Sequence, residues 1–173
     1  MKRHTFSQVF FIFILFFCSP GYGQQLTILH TNDIHSKLNG YGPESEYRPL
    51  EPGNDNTTGG FSRLATLIRQ TREKSPESCL IVDAGDFLMG SLFHVPEENT
   101  GFQLNLMKRL GYDFITFGNH EFEFGPGSLG HMLQAAETRG GFPAIVASNM
   151  MLSEKSKEDD LLDDFLMKGS IKP

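Results

Sequence analysis

Three short segments of this chain carry side chains able to hold metal ions and move protons: Asp33-Ile34-His35, Asp83-Ala84-Gly85-Asp86 and Gly118-Asn119-His120-Glu121. Carboxylate, amide and imidazole donors mixed in this way suit zinc, manganese or iron rather than calcium alone. In an extended segment, side chains two apart point the same way, so Asp33 and His35 are expected to converge on one ion while Ile34 turns inward. Singly, each signal is weak: Asp-x-His arises by chance, Gly85-Asp86 is a common turn, and Asn119-His120 reads equally as a helix cap. Their joint occurrence, each directly after a strand-like run, makes the constellation specific.

Those runs are Leu26 to His30, Cys79 to Asp83, Asp113 to Phe117 and Pro143 to Ala147, each continuously apolar, which suits strands buried on both faces. Between them lie helical patterns. The first runs from Phe61 to Lys74, with Phe61, Leu64, Ala65, Leu67 and Ile68 on one face. The second runs from Phe102 to Leu110, with Phe102, Leu106, Met107 and Leu110 apolar and Gly111 as its stop. A third, Leu129 to Arg139, has Ser128 as N-cap and Gly140 closing it. The order β-α-β-α-β-α-β predicts an α/β fold with a mainly parallel sheet, right-handed crossovers and helices on its faces. Ligands in such a sheet bind at the carboxyl ends of the strands, where all three segments fall. Gly118 and Gly125 are expected to permit a sharp turn there. Asn39 to Gly60, rich in proline and glycine, reads as a long irregular loop beside that edge. Ser153 to Asp164 is charge-dense and reads as a solvated helix or ragged end, with Leu161, Leu162, Phe165 and Leu166 as its only apolar stripe.

The 173 residues make one domain, and 21 acidic against 15 basic side chains give a formal charge of -6. That balance argues against gripping a nucleic acid polymer, and any phosphate bound must find positive charge elsewhere. Lys2 and Arg3, an apolar run from Val9 to Phe17 and small residues up to Gly23 follow the order of a secretory signal peptide, residues 1–23. The run is too short to span a membrane. Export to the periplasm, the cell surface or the medium is therefore expected. Lipid attachment at Cys18 ranks second, because bulky Phe17 precedes it. Cleavage after Gly23 leaves 150 residues and one cysteine, Cys79, which reads as a small apolar residue of a buried strand.

Leu26-Thr-Ile-Leu-His-Thr-Asn-Asp-Ile-His35, Gly59-Gly-Phe-Ser-Arg63, Asp83-Ala-Gly-Asp86 with Gly90-Ser91, and Phe117-Gly-Asn-His-Glu-Phe122 together resemble the calcineurin-like metallophosphoesterases. The likeness is to the branch of secreted 5'-nucleotidases and cyclic-nucleotide phosphodiesterases, over roughly Leu26 to Asn149. The resemblance implies part of a metallophosphoesterase sandwich and two divalent ions: zinc, manganese or iron. It implies Asp33 and His35 on the first ion, Asp86 bridging both and Asn119 on the second. It also implies His120 as the catalytic histidine near the leaving group. Two such ions polarise a phosphoryl group, activate water as hydroxide and clamp an in-line displacement. The family pairs that histidine with an aspartate three residues on, where this chain has Glu123, one methylene longer. The usual glycine after Asp-x-His is Ser36 here. His30, His94 and His131 match no ligand position.

The family's later histidines have no counterpart after His131, so residues 24–173 are expected to be the N-terminal part of the domain, apparently truncated. As an enzyme, the chain would hydrolyse phosphate esters of nucleotides. Enzymes of cyclic-nucleotide phosphodiester hydrolysis, sugar-nucleotide hydrolysis and thiosulfohydrolase-type sulfur chemistry share these N-terminal motifs. The alternative is a catalytically inactive remnant, or a weak metal-binding module lacking the C-terminal ligands.

Overall fold

The computed structural model describes Gly23 and residues 25–42 and 57–172; positions 1–22, which hold most of the expected leader and Cys18, and 43–56, part of the expected long loop, lie outside the described residues. Five strands form one parallel sheet in sequence order: β1 (Thr27–Thr31), β2 (Cys79–Asp83), β3 (Phe114–Ile115), β4 (Ala144–Val146) and β5 (Ile171–Lys172). Between them run α1 (Phe61–Lys74), a short α2 (Glu97–Thr100), α3 (Phe102–Leu110), α4 (Gly125–Thr138) and α5 (Asp160–Met167). Among the described residues no helix is long and apolar enough to cross a membrane. The α/β class and the parallel sheet stand as expected, and all strands point their carboxyl ends at one edge.

Burial on both strand faces does not hold. Ile81, Ile115, Ile145 and Ile171 enter the core, whereas Ile28 is 55% exposed, Phe114 42% and Val146 38%. Strand order explains this: when each crossover steps the same way with the same hand, the helices gather on one face. Leu67 departs similarly, lying 52% exposed on α1, where Phe61 and Ile68 are buried. On α3 the core residues are Leu104 and Met107, with the polar Gln103 and Asn105 buried beside them. Asn105 donates to the carbonyls of Ala136 (2.9 Å) and Gly141 (2.6 Å), so its burial leaves its amide donors paired. Gly111 closes α3 in the left-handed conformation its lack of Cβ permits, φ 91°.

Helix α4 begins at Gly125 with proline in its first turn, so Ser128 lies inside it and is not its cap. The charged C-terminal stretch is no ragged end. It folds as α5, whose Leu162 and Phe165 are 1% and 2% exposed, and it leads into β5. Acidic residues in the first turn of α5 complement the helix dipole, while its apolar stripe enters the core. Leu162→Ala is expected to cost about 3 kcal/mol of unfolding free energy, read as a lower urea midpoint. A change under about 0.5 kcal/mol would show that the stripe does not pack.

The described ends of the segment Asn39 to Gly60 are tied together. Tyr41 and Thr58 exchange two backbone hydrogen bonds of 2.9 and 2.8 Å, and Phe61 N–H donates to the Leu38 carbonyl at 2.8 Å. Cys79 is a half-buried free thiol in β2.

Candidate metal centre

At the carboxyl edge, the loop after β1 lies along the loop after β2. Asp33 N–H donates to the Gly85 carbonyl (3.0 Å), His35 N–H to that of Asp86 (3.0 Å), and Ser36 N–H to that of Phe87 (2.8 Å). The expected extended geometry is absent: Asp33, His35 and Ser36 have φ of 52°, 50° and 53°, and Asp86 has 58°. Left-handed backbone costs a non-glycine residue about 1–2 kcal/mol and persists only where the surroundings over-determine it. Here the inter-loop hydrogen bonds do so. They also deliver the convergence assigned to strand alternation, for His35 Nε2 lies 3.7 Å from Asp33 Oδ1.

The loop after β3 brings the third donor. Atoms of His35, Asp86 and His120 that can ligate a metal all lie within 4.8 Å of one another. The His35 and His120 rings meet edge-on with centroids 4.9 Å apart. Asp86 Oδ1 accepts the His120 backbone N–H at 3.0 Å, so one carboxylate links two loops. Close approach of those loops demands glycine. A Cβ on Gly118 would stand 2.6 Å from Asp86 Cγ, and one on Gly85, 2.7 Å from the Phe117 carbonyl carbon. Gly118 is therefore required for proximity, whereas Gly125, at φ 82°, is the residue that turns the chain.

Two nitrogens and an oxygen from three loops fit a zinc-, manganese- or iron-type ion, and a neighbouring carboxylate adds charge. Asp33 and Asn119 stand at the exposed rim. Asn32 donates to the Asp33 carboxylate, and Asn119 immediately precedes the turn His120–Phe122 with no side-chain cap hydrogen bond. Glu123 Oε1 lies 2.7 Å from His120 Nδ1, so the extra methylene still spans the gap. The remaining histidines stand elsewhere: His30 is exposed on β1, His94 Nδ1 lies 2.5 Å from the Ser91 carbonyl, and His131 Nδ1 lies 3.6 Å from Glu98.

Behind the donors lie buried carboxyl groups to which sequence reasoning assigns no role. Asp83, 4% exposed, accepts from Thr31 Oγ1 at 2.6 Å and from Gly85 N–H at 3.0 Å; burial nonetheless pushes its pKa up to about 6. The Thr31 hydroxyl also meets the Tyr112 hydroxyl at 2.8 Å, and burial takes that phenol to about 12. Glu121, 3% exposed, is likewise raised by burial. Its position inside Gly118-Asn119-His120-Glu121 was the available signal.

Ser36 is fully buried. Its hydroxyl accepts from Gln103 Nε2 at 3.0 Å, and its carbonyl accepts from Ser91 Oγ at 2.6 Å. Glu97 accepts the Gln103 backbone N–H at 2.8 Å, while Glu97 Oε2 and Gln103 Oε1 have no hydrogen-bond partner. Burial outweighs the helix N–H donors and pushes Glu97 up to about 7 from 4.5. Between those values the folded chain holds a proton that the unfolded chain has released, so stability falls as pH rises through that window. The loss attributable to Glu97 is about 3 kcal/mol. Thermal melts of the metal-free protein at pH 5 and 8 should show it, and Glu97→Gln should flatten the dependence. An unchanged slope in Glu97→Gln would refute this.

A family profile described as calcineurin-like phosphoesterase matches residues 26–169. The chain belongs to this family. It is 40% identical over 101 residues to a 5'-nucleotidase of Bos taurus, covering 58% of this chain and 17% of that protein. Among solved structures, the phosphoesterase fold superposes on an NAD nucleotidase of Haemophilus influenzae (TM-score 0.60, 26% identity, 79% of this chain and 22% of the other). It also superposes on a 5'-nucleotidase precursor of Thermus thermophilus (TM-score 0.58, 29% identity, 79% and 24%). The chain thus spans about a fifth of the length of these relatives.

Proposed function

We propose that residues 24–173 carry the N-terminal part of a two-metal site that hydrolyses phosphate esters of nucleotides, preceded by an export leader at 1–23. The convergence of the His35 and Asp86 donors with the His120 imidazole within 4.8 Å, in a chain similar to 5'-nucleotidases, carries this reading. Asp33 and His35 would hold one ion, Asn119 the other, and Asp86 would bridge them. Zinc, manganese or iron ions, when bound, would supply Lewis-acid polarisation of the phosphoryl group and activation of water. They would also supply the positive charge that a chain of net charge -6 lacks.

His120 would act at the leaving group. With Nδ1 engaged by Glu123, the ring is oriented and Nε2 is the nitrogen left to pass a proton to the departing alkoxide. A small nucleotide fits this arrangement and a nucleic acid polymer does not, because the acidic chain offers no track for a long phosphate backbone.

The test is phosphate release from AMP and from p-nitrophenyl phosphate by the purified chain with Mn²⁺ or Zn²⁺. Release that depends on metal and ceases with chelator is expected. A second reading, a metal-binding module without turnover, is favoured by the single three-donor group among the described residues, fewer than two ions require. Metal uptake without phosphate release from either ester would establish that reading and overturn the first.

A further inference from the structure

Glu121 is nearly sealed from solvent, yet its carboxylate touches two separate loops. Oε2 accepts N–H groups from Asp86 (2.9 Å) and Gly118 (2.7 Å), and Oε1 accepts that of Leu88 (3.0 Å). Asp86 and Leu88 belong to the loop after β2, and Gly118 to the loop after β3. A charged acceptor makes such bonds stronger than neutral pairs. Burying it still opposes stability, since burial and the nearby Asp86 charge both act against the carboxylate.

We propose that Glu121 is a positioning residue that clamps Asp86 against the turn carrying His120, so that the metal donors are assembled before any ion arrives. The inference rests on the metal-centre reading above and assigns Glu121 no contact with metal or substrate. Its geometry follows from the three bonds. They fix the backbone of Asp86 in its left-handed conformation and hold Gly118 against it, and Asp86 Oδ1 then reaches the His120 N–H. Without the clamp, the loops after β2 and β3 lose three bonds beside the donors and keep the one from His120 N–H to Asp86 Oδ1. The expected cost in metal affinity is that of losing an orienting partner, about 10–100-fold.

Glu121→Gln tests this in the full chain. The amide has one acceptor oxygen instead of two and no charge, so at least one N–H now faces an NH₂ group. Amide hydrogen exchange of the metal-free protein should speed up about tenfold or more at Asp86, Leu88 and Gly118. His120 should follow, although its N–H is bonded to Asp86 and not to Glu121. Leu133 and Ile145, in the core, should keep their protection. Mn²⁺ titration should show about 10–100-fold weaker binding.

A uniform loss of protection that includes Leu133 and Ile145 would reduce Glu121 to a general structural role and overturn the proposal. Unchanged exchange at His120 would overturn it as well. Should Glu121→Gln fail to fold, Glu121→Asp, which keeps the charge but shortens the reach, carries the same measurements. Absence of Mn²⁺ binding by the unaltered chain would sink the metal-centre reading alone, because the exchange pattern decides the clamp without metal.

Discussion

Asp86→Asn is expected to weaken Mn²⁺ binding at least 100-fold while leaving the metal-free protein as stable as the parent, or more so. Three observations fix the direction. The carboxylate is the one oxygen donor in the His35, Asp86 and His120 group, and in the proposed site it is shared by both ions, so its charge counts twice. In the metal-free state that charge is unfavourable, because it lies close enough to Glu121 to oppose ionisation there. Asparagine also tolerates the φ of 58° at this position and keeps an oxygen for the His120 N–H. Asp86→Ala should bind metal no better and should also lose stability, since alanine resists left-handed backbone and frees that N–H. Calorimetric Mn²⁺ titration and thermal melts of the parent and both variants check this. Affinity within threefold of the parent in Asp86→Asn would remove Asp86 from the metal centre.

The opposite signs expected for affinity and stability explain why the site was legible in the sequence while its support was not. Donor residues follow strand-like runs because a parallel sheet presents all its carboxyl ends at one edge, and that much is periodicity. How Asp33 and His35 come together is not periodicity. Asp33, His35, Ser36 and Asp86 adopt left-handed backbone, held by hydrogen bonds between loops about fifty residues apart, which no local pattern announces. Glu97 and Gln103 give no signal, and Glu121 no role, for a related reason: polar side chains read as surface until a partner is known, and these three are buried. Charge misdirected the reading of 153–164 in the same way. Asp160 and Asp163 occupy the first turn of α5, while Leu162 and Phe165 face the core. The exposed sheet face follows from the sequential strand order, which apolar runs do not encode.

His120→Ala carries the largest expected effect on turnover. Phosphate release from AMP should fall about 10²–10⁴-fold, the range for removing a positioned proton donor. Mn²⁺ affinity should stay within about threefold. The leaving group gives the sharper contrast. The ribose alkoxide expelled from AMP needs a proton as it departs, whereas p-nitrophenolate is a stable anion that does not, so the same variant should lose far less with p-nitrophenyl phosphate. Glu123→Gln should reproduce the pattern more weakly, because it loosens the 2.7 Å contact that orients the ring without removing the ring itself. The geometry makes the alternative explicit, since a His120 nitrogen already lies within 4.8 Å of the His35 and Asp86 donors. If His120→Ala instead loses metal, and the two esters lose rate equally, His120 is a ligand and the proton must come from another group. Equal losses with metal retained would place its role before bond cleavage, in binding the phosphate common to both esters.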